Sequence, residues 1–196
     1  MPDTIRFAKL EDAAAIQEIY APIVLHTATS FEYEPPPAQE VRRRIESNFA
    51  QYPWLVCERD SQVVGYAYAG KFRERPAYRW TAELSVYVRS GFHRQGIATR
   101  LYEALFHCLR MQGFHTAVAG ITLPNEASVV LHERMGFQEV GVFRAVGFKF
   151  DEWRDVAWYR RDLQLGSGAP AELRTVAEIA ALPECRDKLA PHALQS

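Results

Sequence analysis

The chain has 196 residues, and its 23 Lys and Arg residues nearly balance its 24 Asp and Glu residues, for a net charge of -1. This length, with 48% hydrophobic residues, suits one globular domain with a core of ordinary size. The balanced charge excludes a general attraction to nucleic acid or to acidic membranes, so any anion-binding site must be local.

The first half of the chain predicts one strand, two helices and a hairpin. TIRFA reads as a short strand, and the apolar residues after it recur at helical spacing until Pro22, where we expect the first helix to end. Three prolines predict a loop over 27–37, and a polar, arginine-rich helix is expected over 38–51. The runs WLVCERD and QVVGYAYAG then predict a hairpin that turns at Asp60-Ser61.

The second half alternates strands and helices. A basic, aromatic segment, KFRERPAYRW, separates the hairpin from the strand AELSVYV. The later elements are expected, in order, as a helix over 97–112 stopped by Gly113, a strand over 116–122, a helix over 126–135 ended by Gly136, and strands within 138–149 and 155–164. The middle strand–helix–strand unit should be parallel. This order predicts an α+β fold, or α/β in three layers, with a ligand at the carboxyl ends of the parallel strands.

The last thirty or so residues differ from the rest. After GSGAP (166–170) the strand pattern stops, and the sequence allows one short helix near 175–181. We therefore predict one domain over 1–165 and an extension of unknown role over 166–196.

Cysteine spacing and hydropathy bear on cofactors and location. Cys57, Cys108 and Cys185 lack the spacing of a zinc site or a disulfide framework, so we expect no metal. Neither a signal peptide nor an apolar run of the ~18 residues that span a bilayer is visible, so we expect a cytoplasmic protein.

A glycine-bearing loop, GFHRQGIATRL (91–101), lies between the strand AELSVYV and the next helix. Unpaired N–H groups in the first turn of a helix bind phosphate. Gly91 and Gly96 fit the first half of a P-loop, but Ile97-Ala98 stand where that motif needs Lys and Ser or Thr. A dinucleotide-binding fold needs an acidic residue about twenty residues after its glycine loop, and the sequence has none there. If the loop is not an ordinary glycine turn, it fits a pyrophosphate that is held but not cleaved, such as that of coenzyme A.

These residues resemble the GNAT acetyltransferases. The family's loop pattern, Arg/Gln-x-x-Gly-x-Gly/Ala, is matched from His93 to Ala98 except at its first position, where His93 stands. The second motif, an Asn after the next strand and a helix ending in Gly-Phe, is matched by Asn125 and by Gly136-Phe137. The resemblance covers about residues 4–164. The ordered set YPWLV, AYAG, TAE, VYV, LPN, SV, LHE, GF and GFK is similar to the phosphinothricin and methionine sulfoximine N-acetyltransferase subfamily.

The resemblance implies a fold and a co-substrate. The fold is a mixed central sheet of about seven strands flanked by helices, and the co-substrate is acetyl-CoA, whose acetyl oxygen would meet backbone N–H groups of Val86, Tyr87 and Val88. The phosphates are expected on the amides that open the helix, which belong to Arg94, Gln95, Gly96, Ile97, Ala98 and Thr99. Asn125 and Arg134 match positions that contact the cofactor in relatives, although Asn125 could equally be a helix N-cap. Relatives are commonly homodimers, so we expect a homodimer.

Acetyl transfer to an amine needs a base for the ammonium and a proton for the departing thiolate. Glu83 is the candidate base, because burial beside an apolar strand would raise its pKa; the alternative is an ion pair with an arginine of 73–79. His132 is the candidate acid, because the last turn of a helix favours the protonated ring, unless it only caps helix carbonyls. We expect Glu83→Gln and His132→Ala each to lower turnover at least about tenfold. No acyl-enzyme is expected, since no cysteine lies in these motifs.

The segment KFRERPAYRW is the candidate site for the acceptor amine. Guanidinium groups bind carboxylates through two N–H groups, so Arg73 or Arg75 suits the α-carboxylate of an amino acid, unless the segment is only a solvated loop. The resemblance implies further contacts from Glu83-Leu84-Ser85, and Phe31-Glu32-Tyr33 could close over the acceptor.

Taken together, the sequence predicts an acetyl-CoA-dependent N-acetyltransferase acting on a small glutamate-like amino acid, by direct attack in a ternary complex. Phosphinothricin and methionine sulfoximine are the type substrates. The alternatives are a GNAT that acetylates a protein N-terminus or another amine, and a module that binds coenzyme A without turnover.

Overall fold

A computed structural model describes residues 3–164, 166 and 168–189 of the chain. Its strands are β1 (Thr4–Phe7), β2 (Trp54–Arg59), β3 (Gln62–Lys71), β4 (Thr81–Val88), β5 (Thr116–Thr122), β6 (Gln138–Lys149) and β7 (Glu152–Asp162). Its helices are α1 (Ala13–His26), α2 (Ala38–Asn48), α3 (Ile97–Gln112), α4 (Glu126–Arg134), α5 (Val176–Ala180) and α6 (Pro183–Leu189).

The seven strands form one mixed sheet in the order β1-β2-β3-β4-β5-β7-β6. β4 and β5 are parallel and are connected through α3, whereas the other neighbouring strands are antiparallel. The prediction of a seven-stranded α+β fold with helices on its faces is confirmed.

Side chains alternate between the two faces of β4. Ala82 and Leu84 are buried in the larger core, against the side of α3, whereas Tyr87 packs with the second core, which α1 and α2 cover. Because residues two apart on a strand share a face, Glu83 and Ser85 lie on the Tyr87 side. The candidate base therefore lies on the face that α1 and α2 cover.

Turn and cap residues set the element boundaries that the sequence predicted well. Asp60 and Ser61 both have positive φ, 48° and 63°, as a two-residue hairpin turn requires. α3 runs from Ile97 to Gln112 and ends at Gly113, whose φ of 100° only glycine adopts without strain.

Two helix ends predicted from sequence are wrong. α1 continues through Pro22 to His26, because its apolar face continues to Val24, which is fully buried, and this burial outweighs the one hydrogen bond that proline cannot donate. α2 ends at Asn48, three residues before the predicted end at 51.

The extension contains one helix more than the sequence predicted. α5 lies where a helix near 175–181 was expected, and Thr175 and Glu178 form a capping box at its start. α6 was not predicted; its Cys185 is buried together with Ile179 of α5 and Cys108 of α3. The described part of the extension therefore packs on the domain. Within the described residues, no helix has the length and apolar character needed to cross a membrane.

Candidate active site

The sheet opens where its two parallel strands separate. The β4–β5 ladder joins Thr81–Glu83 to Thr116–Val118, and the later residues of both strands instead line a cleft of about 380 Å³. Its walls are formed by Thr29, Leu84, Ser85, Val86, Tyr87, Tyr102, Gly120, Ile121, Thr122, Asn125, Ser128 and His132. The cleft lies at the carboxyl ends of the parallel strands, where a ligand was expected.

The N-terminus of α3 lies at the same end of the sheet. Gly96 is its N-cap, with a φ of 74°, and the first intrahelical bond runs from the Arg100 N–H to the Gly96 carbonyl at 3.1 Å. The N–H groups of Ile97, Ala98 and Thr99 therefore precede the helical ladder and have no carbonyl partner within it. Such a turn, entered through a left-handed glycine, fits the diphosphate of a carrier.

Loop side chains hold the turn to the neighbouring strands. Nε2 of His93 lies 2.9 Å from the Val88 carbonyl oxygen, so this ring is engaged at the end of β4. Gln95 accepts from Arg59 at 2.5 Å and donates to the Gly91 carbonyl at 3.2 Å. Both the oxygen and the nitrogen of the Gln95 side chain therefore bond within the protein.

Glu83 is the last residue of β4 that pairs with β5, where the cleft begins, although β4 stays paired with β3 as far as Val88. The side chain is half-buried, and this burial raises the pKa of its carboxyl, while the positive charge of Arg73 acts in the opposite direction. A carboxylate with a raised pKa beside a cleft suits a general base.

His132 is bonded on both sides of its ring. It is 4% exposed, and burial lowers the pKa of the ring, which opposes the effect of the helix C-terminus that the sequence predicted. Its Nδ1 donates to the Ser128 carbonyl oxygen at 2.7 Å, and its Nε2 lies 2.9 Å from the Tyr102 hydroxyl, which donates to that nitrogen when it is unprotonated. The cleft therefore contains a hydrogen-bonded Tyr102–His132 pair.

Asn125 and Arg134 lie at opposite ends of α4. The Asn125 side chain accepts from the Ser128 N–H at 3.1 Å, so it is the N-cap that the sequence left open, and it also lines the cleft. Arg134 is exposed in the last turn. The Leu84 side chain is buried in the core against α3, so only its main chain could contact an acceptor bound beside Glu83.

Arg73 is held by two aromatic rings. Its guanidinium carbon lies 4.4 Å from the centre of the Phe72 ring and 5.7 Å from that of Trp158 on β7. The guanidinium is exposed, and its charge acts on Glu83. Arg75 is also exposed and precedes a single 3-10 turn, Pro76–Tyr78. Arg73 is thus close enough for its charge to lower the pKa of Glu83 against the effect of burial.

A buried lysine orders the loop between α1 and α2. Nζ of Lys149, a residue that is 2% exposed, donates to the carbonyls of Val24, Ser30 and Glu32 at 2.7, 2.7 and 2.8 Å. The Phe31 ring lies directly on Gly147, where any Cβ would collide with it. This loop, which supplies Thr29 to the cleft, is therefore docked on β6 rather than free.

Among the residues that the structure describes, no cluster of three or more His, Cys, Asp and Glu side chains could hold a metal ion. All three cysteines are free and buried.

The mixed sheet, the cleft between β4 and β5 and the open N-terminus of α3 place the chain among α+β proteins with a phosphate-binding type of turn beside a cleft. The acetyltransferase (GNAT) domain profile matches residues 5–158, and the chain belongs to this GNAT family. It is an N-acetyltransferase, and acetyl-CoA is its co-substrate.

Three similar proteins illustrate the relationship. Phosphinothricin N-acetyltransferase of Streptomyces viridochromogenes is 39% identical over 91% of this chain and 97% of its own length. L-methionine sulfoximine/L-methionine sulfone acetyltransferase of Salmonella typhimurium is 37% identical over 82% and 94%. The crystal structure of a GNAT superfamily phosphinothricin acetyltransferase from Sinorhizobium meliloti, in complex with acetyl-CoA, has a TM-score of 0.82 at 35% identity over 88% and 95%.

Sequence reasoning missed two residues of this site. Tyr102 was read only as part of a helix, because its bond to His132 spans 30 positions. Lys149 was noted only in the run GFK, because its three acceptors are 117 to 125 positions away. The local pattern carries no signal for this role, because Lys149 is the last residue of β6, a strand that also contains Glu139 and Arg144.

Proposed function

We propose that this N-acetyltransferase acetylates the α-amine of a small glutamate-like amino acid, by direct attack in a ternary complex. The observation that carries the proposal is the placement of a carboxylate and a guanidinium at one end of β3 and β4. Half-buried Glu83 is paired across these strands with Gly70, and Arg73, an exposed residue, follows Gly70 by three positions and acts on Glu83 through its charge. One group suits the ammonium of an amino acid and the other its carboxylate. The names of relatives that are 37–39% identical support the same substrate class.

The proton balance assigns separate tasks to the two ends of the cleft. An acceptor ammonium loses two protons on acetylation: Glu83 accepts the first, and the second ends on the sulfur of the released thiol. The N–H groups of Val86, Tyr87 and Val88 are the proposed partners of the acetyl oxygen, and those from Arg94 to Thr99 the partners of the diphosphate.

The Tyr102–His132 pair is the proposed donor toward the sulfur. Nε2 of His132 holds the Tyr102 hydroxyl, and Nδ1 is fixed by the Ser128 carbonyl. In the proposed transfer the Tyr102 hydroxyl turns its proton from Nε2 to the sulfur, and the second proton of the ammonium then replaces it on Tyr102. His132 then acts by orienting Tyr102, and its charged form is not needed.

Tyr102→Phe and His132→Ala are expected to lower kcat about tenfold each, and the double variant should lose little more, because groups that act as a unit are not additive. Steady-state kinetics of the four proteins checks this. Independent, multiplying losses would contradict a shared role, and the thermal midpoint of each variant controls for damage to the fold.

The acceptor site predicts a selective change in KM. Arg73→Ala should raise KM for an amino-acid acceptor about tenfold or more, the effect of one charge-assisted bond, and leave KM for acetyl-CoA unchanged. Arg42→Ala, an exposed arginine of α2, is the matched control. Equal KM values in Arg73→Ala and wild type would remove Arg73 from the site.

A substrate panel read by thiol release tests the function itself. Phosphinothricin, methionine sulfoximine and the natural amino acids are compared with peptides and polyamines, and intersecting double-reciprocal plots are expected for a ternary complex. Turnover of peptides alone would support an N-terminal protein acetyltransferase. Cofactor binding without thiol release from any amine would identify a non-catalytic module.

We also propose a homodimer formed through β6 and β7. These strands end the sheet and expose large apolar side chains: Val140, Phe143, Val146, Phe148, Phe150 and Trp153, from 44% to 65%. Such a patch is larger than single scattered residues and suits a self-association surface. Analytical ultracentrifugation should give the dimer mass for wild type and a monomer for Phe143→Asp; a wild-type monomer at micromolar concentration would contradict the proposal.

The cytoplasmic location remains a prediction.

A further inference from the structure

The C-terminal extension returns to the segment that carries Arg73. Nε1 of Trp80 donates to the Ala171 carbonyl at 2.8 Å, and Nη2 of Arg79 lies 3.0 Å from a carboxylate oxygen of Glu172. Arg79 and Trp80 are the last two residues of the segment 72–80, here called the acceptor segment because it contains Arg73. Ala171 and Glu172 lie beyond the GNAT domain match, which ends at 158. The contact therefore joins the acceptor segment to a part of the chain outside that match.

The extension is fixed to the domain just beyond this contact. The Arg174 N–H donates to the Gln112 carbonyl at 2.9 Å, and the Gln112 side-chain Nε2 donates to the Arg174 carbonyl at 2.9 Å. The Val176 N–H donates to the Ala50 carbonyl at 3.0 Å. Val176 and Ile179 are buried at 1% and 0% exposure. Ala171 and Glu172 thus lie five and four residues before the buried Val176. Because Val176 fixes this part of the extension to the domain, Ala171 and Glu172 can act as a fixed support.

Contacts within the segment lead from this support to Arg73. The Arg79 guanidinium lies 4.1 Å from the Trp80 ring centre, and Tyr78 packs edge-on against Phe72 at 5.7 Å. Phe72 is the ring on which Arg73 rests. Because residues 73–79 are all exposed, the segment has little burial of its own to fix its conformation.

We propose that Ala171 and Glu172 position the acceptor segment, with Trp80 as the positioning residue through which the extension sets the place of Arg73. The inference rests on the proposed function only in that Arg73 binds the acceptor carboxylate. The extension then contributes to acceptor affinity without touching the acceptor.

The test uses full-length Trp80→Phe, which removes the Nε1–H donor and keeps an aromatic ring beside Arg79, and Glu172→Ala, which removes the ion pair. KM for the acceptor should rise about fivefold in Trp80→Phe, the value of one hydrogen bond, and about twofold in Glu172→Ala, an exposed pair. KM for acetyl-CoA and kcat at saturation should not change. Gln51→Ala is the matched control, because Gln51 bonds the extension at Arg174 (3.3 Å) but does not contact the segment.

A second readout does not depend on the substrate. Amide hydrogen exchange over 72–80 should be faster in Trp80→Phe and Glu172→Ala than in wild type and Gln51→Ala, with equal thermal midpoints. Unchanged exchange in both variants would overturn the inference, as would an unchanged acceptor KM while Arg73→Ala raises it. If wild type acetylates no amino acid, the proposed function fails. The inference is then decided separately, by the exchange rates over 72–80 and by the KM of whichever amine the enzyme does acetylate.

Discussion

Glu83→Gln is expected to lower kcat by about two orders of magnitude or more, the usual contribution of a positioned general base. The amide has nearly the shape of the carboxyl group but cannot accept the ammonium proton. Acetyl-CoA affinity should be unchanged, because the proposed phosphate contacts lie on α3. Glu103→Gln, an exposed acid on α3, is the matched control, and kcat near the wild-type value in Glu83→Gln would exclude Glu83 as the base.

The pH dependence of kcat tests the same role of Glu83 as a general base. Only the ionised carboxyl is a base, so activity should fall as pH falls through the pKa of Glu83, and burial places this limb above the range of a free carboxyl. Arg73 lowers that pKa, so Arg73→Ala should move the limb to higher pH. A limb at the same pH in both proteins would contradict their coupling.

The stability of Glu83→Gln should not fall at neutral pH. An acid whose pKa is higher in the folded state binds more protons there, so stability is lost as pH rises from the unfolded to the folded pKa. Gln removes this loss of stability because it does not ionise. Chemical denaturation at neutral pH measures the free energy of unfolding of both proteins. A clear destabilisation of Glu83→Gln would mean that Glu83 has a structural partner.

Lys149→Met is expected to have the largest effect on stability, about 3 kcal/mol or more, because three buried carbonyls lose their donor at about 1–3 kcal/mol each. The thermal midpoint should fall by roughly 6 °C or more for a chain of this size. The loop over Thr29 and Phe31 should then lose its fixed place on β6, so activity should fall as well.

The control for this change is Lys71→Met, which removes an exposed lysine from an ion pair with Glu74. Surface pairs contribute about 0–1 kcal/mol, so its midpoint should stay close to that of wild type. Calorimetry on both variants makes the comparison. Equal midpoints in Lys149→Met and Lys71→Met would show that the loop does not depend on the buried ammonium.

Local chemistry explains what the sequence predicted correctly. Gly96 and Gly113 limit α3 because each has a positive φ, and Asp60-Ser61 turn the hairpin for the same reason. These signals act within a few residues. The separation of β4 from β5 beyond Glu83 and Val118 follows from neither strand's own pattern, and the sequence did not predict it.

Long-range burial explains what the sequence predicted wrongly or missed. Pro22 stays inside α1 because Val24 is buried beyond it, and the pKa of the His132 ring is lowered because the surrounding protein removes water from it. The α6 helix depends on the contact of Cys185 with Cys108, 77 positions earlier. Burial of this kind is set by tertiary packing, which a local pattern does not record.

A crystal structure of the protein with acetyl-CoA or coenzyme A tests the central claim most directly. The account predicts the diphosphate within hydrogen-bonding distance of main-chain N–H groups between Arg94 and Thr99, and the thioester end of the carrier in the cleft between β4 and β5, beside Glu83. A diphosphate bound elsewhere, or a carrier whose thioester end lies outside that cleft, would contradict it.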